Sequence, residues 1–146
     1  MIAVDTNILV YAHRADSTHH AAAQEALSGL VRGPAAFAIP WPCLHEFFAI
    51  TTHPRIYDPP STAEEAMGAL ESITSATTVR LIGEGADHVE RLAGLIGAGR
   101  VVGPRVHDAR IAAICLSHGV HELWTADRDF SFFPELHTRN PLVGDR

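Results

Sequence analysis

Lysine is missing altogether from this chain of 146 residues, and all eleven basic side chains are arginine. A P-loop enzyme needs a lysine on the phosphates, so that class is excluded. Phosphatases of the haloacid-dehalogenase kind and receiver domains also keep a lysine beside the phosphoryl group, and they are excluded on the same ground. Cysteine is nearly as scarce. Cys43 and Cys115 stand far apart, each without a second thiol nearby, which rules out a zinc knuckle or a two-cysteine redox motif within one segment. They read as buried, reduced thiols. No apolar run approaches the roughly 20 residues needed to cross a bilayer. The amino terminus reaches an acid at Asp5 and lacks the basic-then-apolar order of a secretory signal. We therefore expect a cytoplasmic protein with no membrane segment. Positive charge is short as well. A formal net charge of −6 removes binding to nucleic acid or membrane through a broad basic surface, but leaves room for a nucleic-acid enzyme whose site carries metal.

What is present fits one compact domain over residues 1–146, with 47% hydrophobic content to fill a single core. Residues 2–4 are an apolar run followed by Asp5, Thr6 and Asn7, good helix-starting residues, and then by Ile8 to Tyr11, so strand, turn and helix are expected in order. The alanine-rich stretch 17–30 is a helix that stops at Gly33-Pro34, and 35–39 suits a buried strand. Leu44, Phe47, Phe48 and Thr51 fall on one helical face, with Glu46 at its flank and Pro54 as its end. Ser61 and Glu64 have capping-box spacing and open a helix whose buried side is Met67, Leu70 and Ile73 or Thr74. A β-branched strand over 77–82 follows, then a helix over 85–99 closed by glycine, and a loop holding Arg100 and Arg105. His107 and Asp108 start a helix that ends at Gly119, and 122–125 is the last clear strand. Strands alternating with helices predict an α/β fold with a parallel sheet covered on both faces.

In such sheets the functional crevice lies at the carboxyl ends of the strands. Asp5 follows the first strand, Glu46 lies one turn into the helix after the second, Asp108 opens the helix before the last strand, and Asp127 follows that strand. All four emerge on one rim. Carboxylates gathered there repel one another unless a cation sits among them. Oxygen-only ligands without cysteine favour Mg²⁺ or Mn²⁺ over zinc. Such ions activate water and hold phosphate oxygens, so phosphodiester hydrolysis is the natural reaction.

Each acid also has a plainer reading. Asp108 suits an N-cap, Asp5-Thr6-Asn7 suits a capped turn, and Glu46 suits a solvated helix edge. Asp129 is read as fixing its turn through local backbone bonds rather than as a metal ligand. The ten histidines form no zinc spacing. Trp41 and Trp124 read as core or interface residues.

Four stretches in order, "VDTNILVYA" at the start, Glu46 in "LHEFFAI", Asp108 in "HDARIAAI" and the closing "TADRDF", resemble the PIN-domain nucleases, in particular toxins of the VapC kind. The resemblance covers nearly the whole chain. It implies a three-layer α/β/α fold around a mainly parallel sheet, an endoribonuclease dependent on Mg²⁺ or Mn²⁺, and a homodimer held by a cognate antitoxin protein. Asp5, Glu46, Asp108 and Asp127 match the family's acidic positions. Thr125 matches the hydroxyl residue that supports them, Thr6 and Asn7 belong to the same supporting set, and Asp129 matches a less constant acid.

RNA affinity would then come from the metal and from arginines at the rim, with Arg55, Arg100, Arg105, Arg110 and Arg128 as candidates for phosphate contacts. Each of these equally suits a surface or ion-pair arginine. An acidic pocket also suggests inhibition by a basic side chain of the antitoxin inserted where metal or phosphate belongs. The apolar segments "WPCLHEFFAI" and "FSFFPEL" suit either core or a dimer interface. A dehalogenase-type phosphatase needs a second aspartate where this chain has Asn7. The remaining alternative is a non-catalytic RNA-binding or scaffold protein on the same fold, against which the four intact acids argue.

Overall fold

Five short strands form one sheet in the order β3-β2-β1-β4-β5, every neighbouring pair parallel, in the computed structural model, which describes residues 1–144. The strands are β1 (Ile2–Val4), β2 (Phe37–Pro40), β3 (Val79–Ile82), β4 (Glu122–Trp124) and β5 (Thr138–Arg139). The helices are α1 (Thr6–His13), α2 (His20–Arg32), α3 (Trp41–Thr51), α4 (Ala63–Thr74), α5 (His88–Gly99) and α6 (Val106–Ser117). Short 3-10 turns cover Gly103–Arg105 and Arg128–Phe132.

The chain steps from β1 through β2 to β3 in one direction, then crosses back from β3 to β4 on the other side of β1. Parallel crossovers are right-handed, so reversing direction sends the connecting helices to the opposite face. The packing agrees: α1 lies against α2 and α3, and α3 against α4, while α5 packs on α6. Strand order reverses between β1 and β4, whose register pairs Ala3 with Leu123 and Val4 with Trp124. That reversal opens a crevice beyond their carboxyl ends.

The core explains the composition. All of β2 is buried, and α6 buries Ala109, Ile111, Ala112, Ala113, Ile114 and Cys115. A helix apolar on most of its circumference is a central one, and its alanines allow close approach to neighbouring elements. Of the large apolar side chains in the two aromatic segments, Phe47, Phe130, Phe133 and Leu136 are buried, and only Trp41 and Phe132 are well exposed. Most of that apolar surplus is therefore core.

Several boundaries differ from expectation. The capping box is Thr62 with Glu65, one residue later than Ser61 and Glu64, because the Ser61 hydroxyl is engaged by His13 and Arg14. The fully buried residue of α4 is Ala66, with Leu70 and Ile73 packed partly buried against the core, whereas Met67 is 44% exposed. The left-handed residue after α5 is Arg100, at φ 51°, rather than a glycine. Gly99 serves a different need, since a Cβ there would lie 3.1 Å from the Phe132 carbonyl oxygen. The strand β5 follows β4 in the sheet and was not expected.

Candidate active site

Asp5 stands directly after β1 and caps α1, its Oδ1 accepting the Thr6 N–H at 2.8 Å. Its other oxygen accepts the Thr125 hydroxyl at 2.7 Å and the Asn7 side-chain amide at 3.1 Å. The Cys43 thiol also points at Oδ1, at 3.6 Å. Burial, and then the charge of Asp5, hold that thiol well above its usual pKa, so it stays a protonated donor. Asp5 is only 4% exposed. Burial pushes its carboxyl up to about 6, against the opposing pull of the Thr125 and Thr6 bonds, and the charge of Glu46 adds to the rise.

Thr125 and Asn7 join the ends of β1 and β4. Asn7 donates to Thr125 Oγ1 at 3.2 Å and accepts the Ala126 N–H at 3.0 Å, while Thr125 Oγ1 accepts the Asp127 N–H at 3.0 Å. Two elements far apart in sequence are thus fixed together where the sheet order reverses. Glu46, on α3, joins from another side by accepting the Thr6 hydroxyl at 2.7 Å.

Asp108, Asp127 and Asp129 come together closely: one carboxylate oxygen from each lies within 4.8 Å of the other two. Asp108 is not an N-cap. It sits on the first turn of α6, the cap position belongs to Arg105, and no side chain caps the helix. Its carboxylate has no hydrogen bond or salt bridge to any described residue. Burial, then the charges of Asp127, Asp5, Asp129 and Glu46 in that order, push it up to about 6. A single group therefore feels all the other acids at once. The turn-fixing role expected of Asp129 belongs to Asp127, whose Oδ1 accepts the Asp129 N–H at 2.8 Å. The Asp129 carboxylate is left facing the cluster.

A cleft of about 400 Å³ at this cluster is lined by Arg100, Val102, Pro104, Arg105, Asp108 and Asp129. Arg100 and Arg105 therefore reach the rim. Arg110 instead pairs with Glu84, Arg55 lies on the exposed loop after α3, and Arg128 is exposed on the 3-10 turn between two of the acids and does not line this cleft. A larger cleft of about 580 Å³, with Leu9, Leu27, Val31, Phe47, Leu70 and Ile73 among its lining, lies among α1 to α4 and contains none of the acids. The smaller one carries the clustered charge, and charge rather than volume decides where a cation or phosphate is held. The Cys43 contact and the Thr6–Glu46 bond were not foreseen; the spacing of Cys43 and Glu46, three apart on one helix, was the available signal.

The site fits a hard divalent cation. Its donors are all oxygen, three converge, and the Asp108 carboxyl is raised by burial and then by the charges of the neighbouring acids, a repulsion that a cation relieves. Among known families, the PIN domain matches residues 2–136. Ribonuclease VapC43 of Mycobacterium tuberculosis is 31% identical over 144 residues, covering 99% of this chain and 97% of its own. Two solved structures share the fold. VapBC2 from Rickettsia felis, bound to a DNA fragment from their promoter, has a TM-score of 0.71 at 21% identity, over 96% of this chain and 98% of that one. A toxin–antitoxin complex from Klebsiella pneumoniae has a TM-score of 0.64 at 21% identity, over 97% and 98%.

Proposed function

The chain belongs to the PIN-domain family, and on that premise we propose that it is a VapC-type endoribonuclease whose clustered acids hold Mg²⁺ or Mn²⁺, the toxin of a toxin–antitoxin pair. The observation that carries this reading is the gathering of Asp108, Asp127 and Asp129 within 4.8 Å, in a position where Asp108 also feels Asp5 and Glu46. Asp108, Asp127 and Asp129 supply the converging oxygens, with Asp5 and Glu46, which stand outside that 4.8 Å group, completing the set.

When bound, the divalent ion supplies charge that neutralises the acids, acidifies water and steadies phosphate oxygens. The rest is the work of this chain's side chains. Thr125 and Asn7 hold Asp5 in one orientation, and the bonds from the Thr125 hydroxyl and the Thr6 N–H favour its ionised form against the cost of burial. Thr6 aims Glu46 by its hydroxyl, and Asp127 sets the 3-10 turn that presents Asp129. Arg100 and Arg105 attract the RNA backbone at the rim, which the net acidity of the chain does not do.

A cognate antitoxin is the partner we propose, on the strength of relatives crystallised in toxin–antitoxin complexes. A basic side chain inserted among the acids would replace both metal and phosphate. We propose further a homodimer acting in the cytoplasm. No helix among the described residues is long and apolar enough to cross a membrane.

The test is cleavage of RNA by the purified protein, free of antitoxin, with the cut ends mapped. Cleavage with Mg²⁺ or Mn²⁺ that stops in excess EDTA is expected. Undiminished cleavage in EDTA would remove the metal mechanism, and no cleavage of any RNA would favour a non-catalytic binding role.

A further inference from the structure

Arginines beside carboxylates normally close onto them as charge-assisted hydrogen bonds, and this chain does so elsewhere, with Arg14 on Asp16 through two bonds and Arg110 on Glu84 through one. Arg105 does not. It lines the same cleft as Asp108 and Asp129 yet makes no hydrogen bond or salt bridge to a described residue. Its guanidinium instead lies over the ring of Phe132, with Cζ 3.8 Å from the ring centroid. A ring face attracts a cation through its quadrupole and fixes the plane of the guanidinium, but it takes up none of the five N–H donors at the edge.

The position of the pair gives this a use. Arg105 is three residues before Asp108 at the start of α6, and Phe132 three residues after Asp129 at the end of the 3-10 turn. The pair therefore stands beside the acids on the two elements that carry them. Phe132 is 41% exposed while its neighbours Phe130 and Phe133 are each 1% exposed, so the core does not need its ring. The close approach at Gly99 holds the Phe132 main chain against the end of α5.

We propose that Arg105 is the phosphate-gripping arm of the acidic cleft and that Phe132 is its positioning residue, holding the guanidinium flat and off the carboxylates so that its N–H edge meets the RNA backbone. This rests on the ribonuclease reading above. Without the ring, Arg105 would fall onto Asp108 or Asp129, occupying both its own donors and a metal ligand.

The experiment measures binding of a fluorescent, mixed-sequence single-stranded RNA pool to the full chain by anisotropy. Ca²⁺ replaces Mg²⁺, and the measurement is repeated across a series of salt concentrations. Arg105→Ala is expected to weaken binding by about tenfold, and to lower the slope of log affinity against log salt by about 0.7, the loss of one phosphate contact. Phe132→Leu, which keeps apolar bulk, is expected to weaken binding in the same direction without lowering thermal stability. Phe132→Ala is expected to add nothing in an Arg105→Ala background, because a residue acting through another has no effect once that other is gone. Unchanged affinity and slope in Arg105→Ala would overturn the proposal, as would no measurable binding by the parent. A further loss from Phe132→Ala in the Arg105→Ala background would show that the ring acts on its own account and overturn the positioning role. A Phe132→Leu protein that loses thermal stability in step with binding would mark the pair as a clip between α6 and the turn, and would overturn that role too. Cleavage by the parent in Mg²⁺ is assayed in parallel. Its absence would count against the ribonuclease reading, while the salt slope still decides on Arg105.

Discussion

Replacing Asp108 by Asn removes one charge from the cluster while keeping the shape of the side chain. The carboxyl of Asp108 rises from 3.8 to about 6, and each unit corresponds to about 1.4 kcal/mol between the two protonation states. Fully realised, that is about 3 kcal/mol of strain in the ionised, metal-free site. Asp108 is half-buried rather than buried, so solvent screening reduces the figure to about 1 kcal/mol. Metal-free Asp108→Asn at pH 7.5 or so is therefore expected to melt a few degrees above the parent. The amide can also donate to Asp127 or Asp129. Addition of Mg²⁺ should reverse the order, because a ligand stabilises a fold in proportion to its binding and the parent binds better. RNA cleavage should fall by two orders of magnitude or so, the range of losses found when a single charge-stabilising group is removed from an active site. Differential scanning fluorimetry with and without Mg²⁺, beside a cleavage assay, reads all three. A metal-free mutant less stable than the parent, with an unchanged Mg²⁺ response and parental cleavage, would refute the reasoning and return Asp108 to an ordinary helix position.

Thr125→Val removes the hydroxyl shared by Asp5, Asn7 and the Asp127 N–H. It should cost about 1–3 kcal/mol in urea unfolding, and should raise the Asp5 pKa further, with Thr125→Ser restoring both. Activity should decline as pH falls through about 6, where Asp5 and Asp108 take up protons and lose their charge for metal, as read from a kcat/KM profile. For stability without metal the sign is opposite. A carboxyl raised above its unfolded value favours the fold fully below the unfolded pKa of 3.8, and that contribution is lost as pH rises through about 6. The melting advantage of Asp108→Asn should accordingly shrink below about pH 6. Sedimentation should show a dimer at micromolar concentration, and a 15.8 kDa species alone would count against it.

The first turn of the site was legible because one tripeptide does two jobs. Asp5 caps α1 and enters the crevice, so the helix signal and the acid coincide. The contacts of Asp5 with Thr125 and Cys43, however, form only in three dimensions, while Asn7 is a neighbour in sequence. The capping box slipped by one residue because "STAEE" contains two equivalent registers, and only the contacts of Ser61 with His13 and Arg14 choose between them. The strand β5 has two residues, Thr138 and Arg139, both exposed, and so carries no apolar alternation to detect. The exchange of roles between Asp127 and Asp129 has a similar origin, since the sequence shows two acids flanking Arg128 but not which one caps the turn. Among the aromatics of "FSFFPEL", nothing in the spacing singles out Phe132 as the exposed one; its neighbours pack inward at an interval of three.

The central claim is that these acids hold a divalent ion, and crystals of the protein soaked in Mn²⁺ test it most directly through anomalous scattering. The account predicts a peak coordinated by carboxylate oxygens of Asp108 and Asp127, with Asp5, Glu46 or Asp129 completing the shell at about 2.0–2.2 Å, close to the Mg²⁺ range. The same peak should be lost in Asp108→Asn. Manganese bound elsewhere while this cluster stays empty, in a protein that still cleaves RNA, would contradict it.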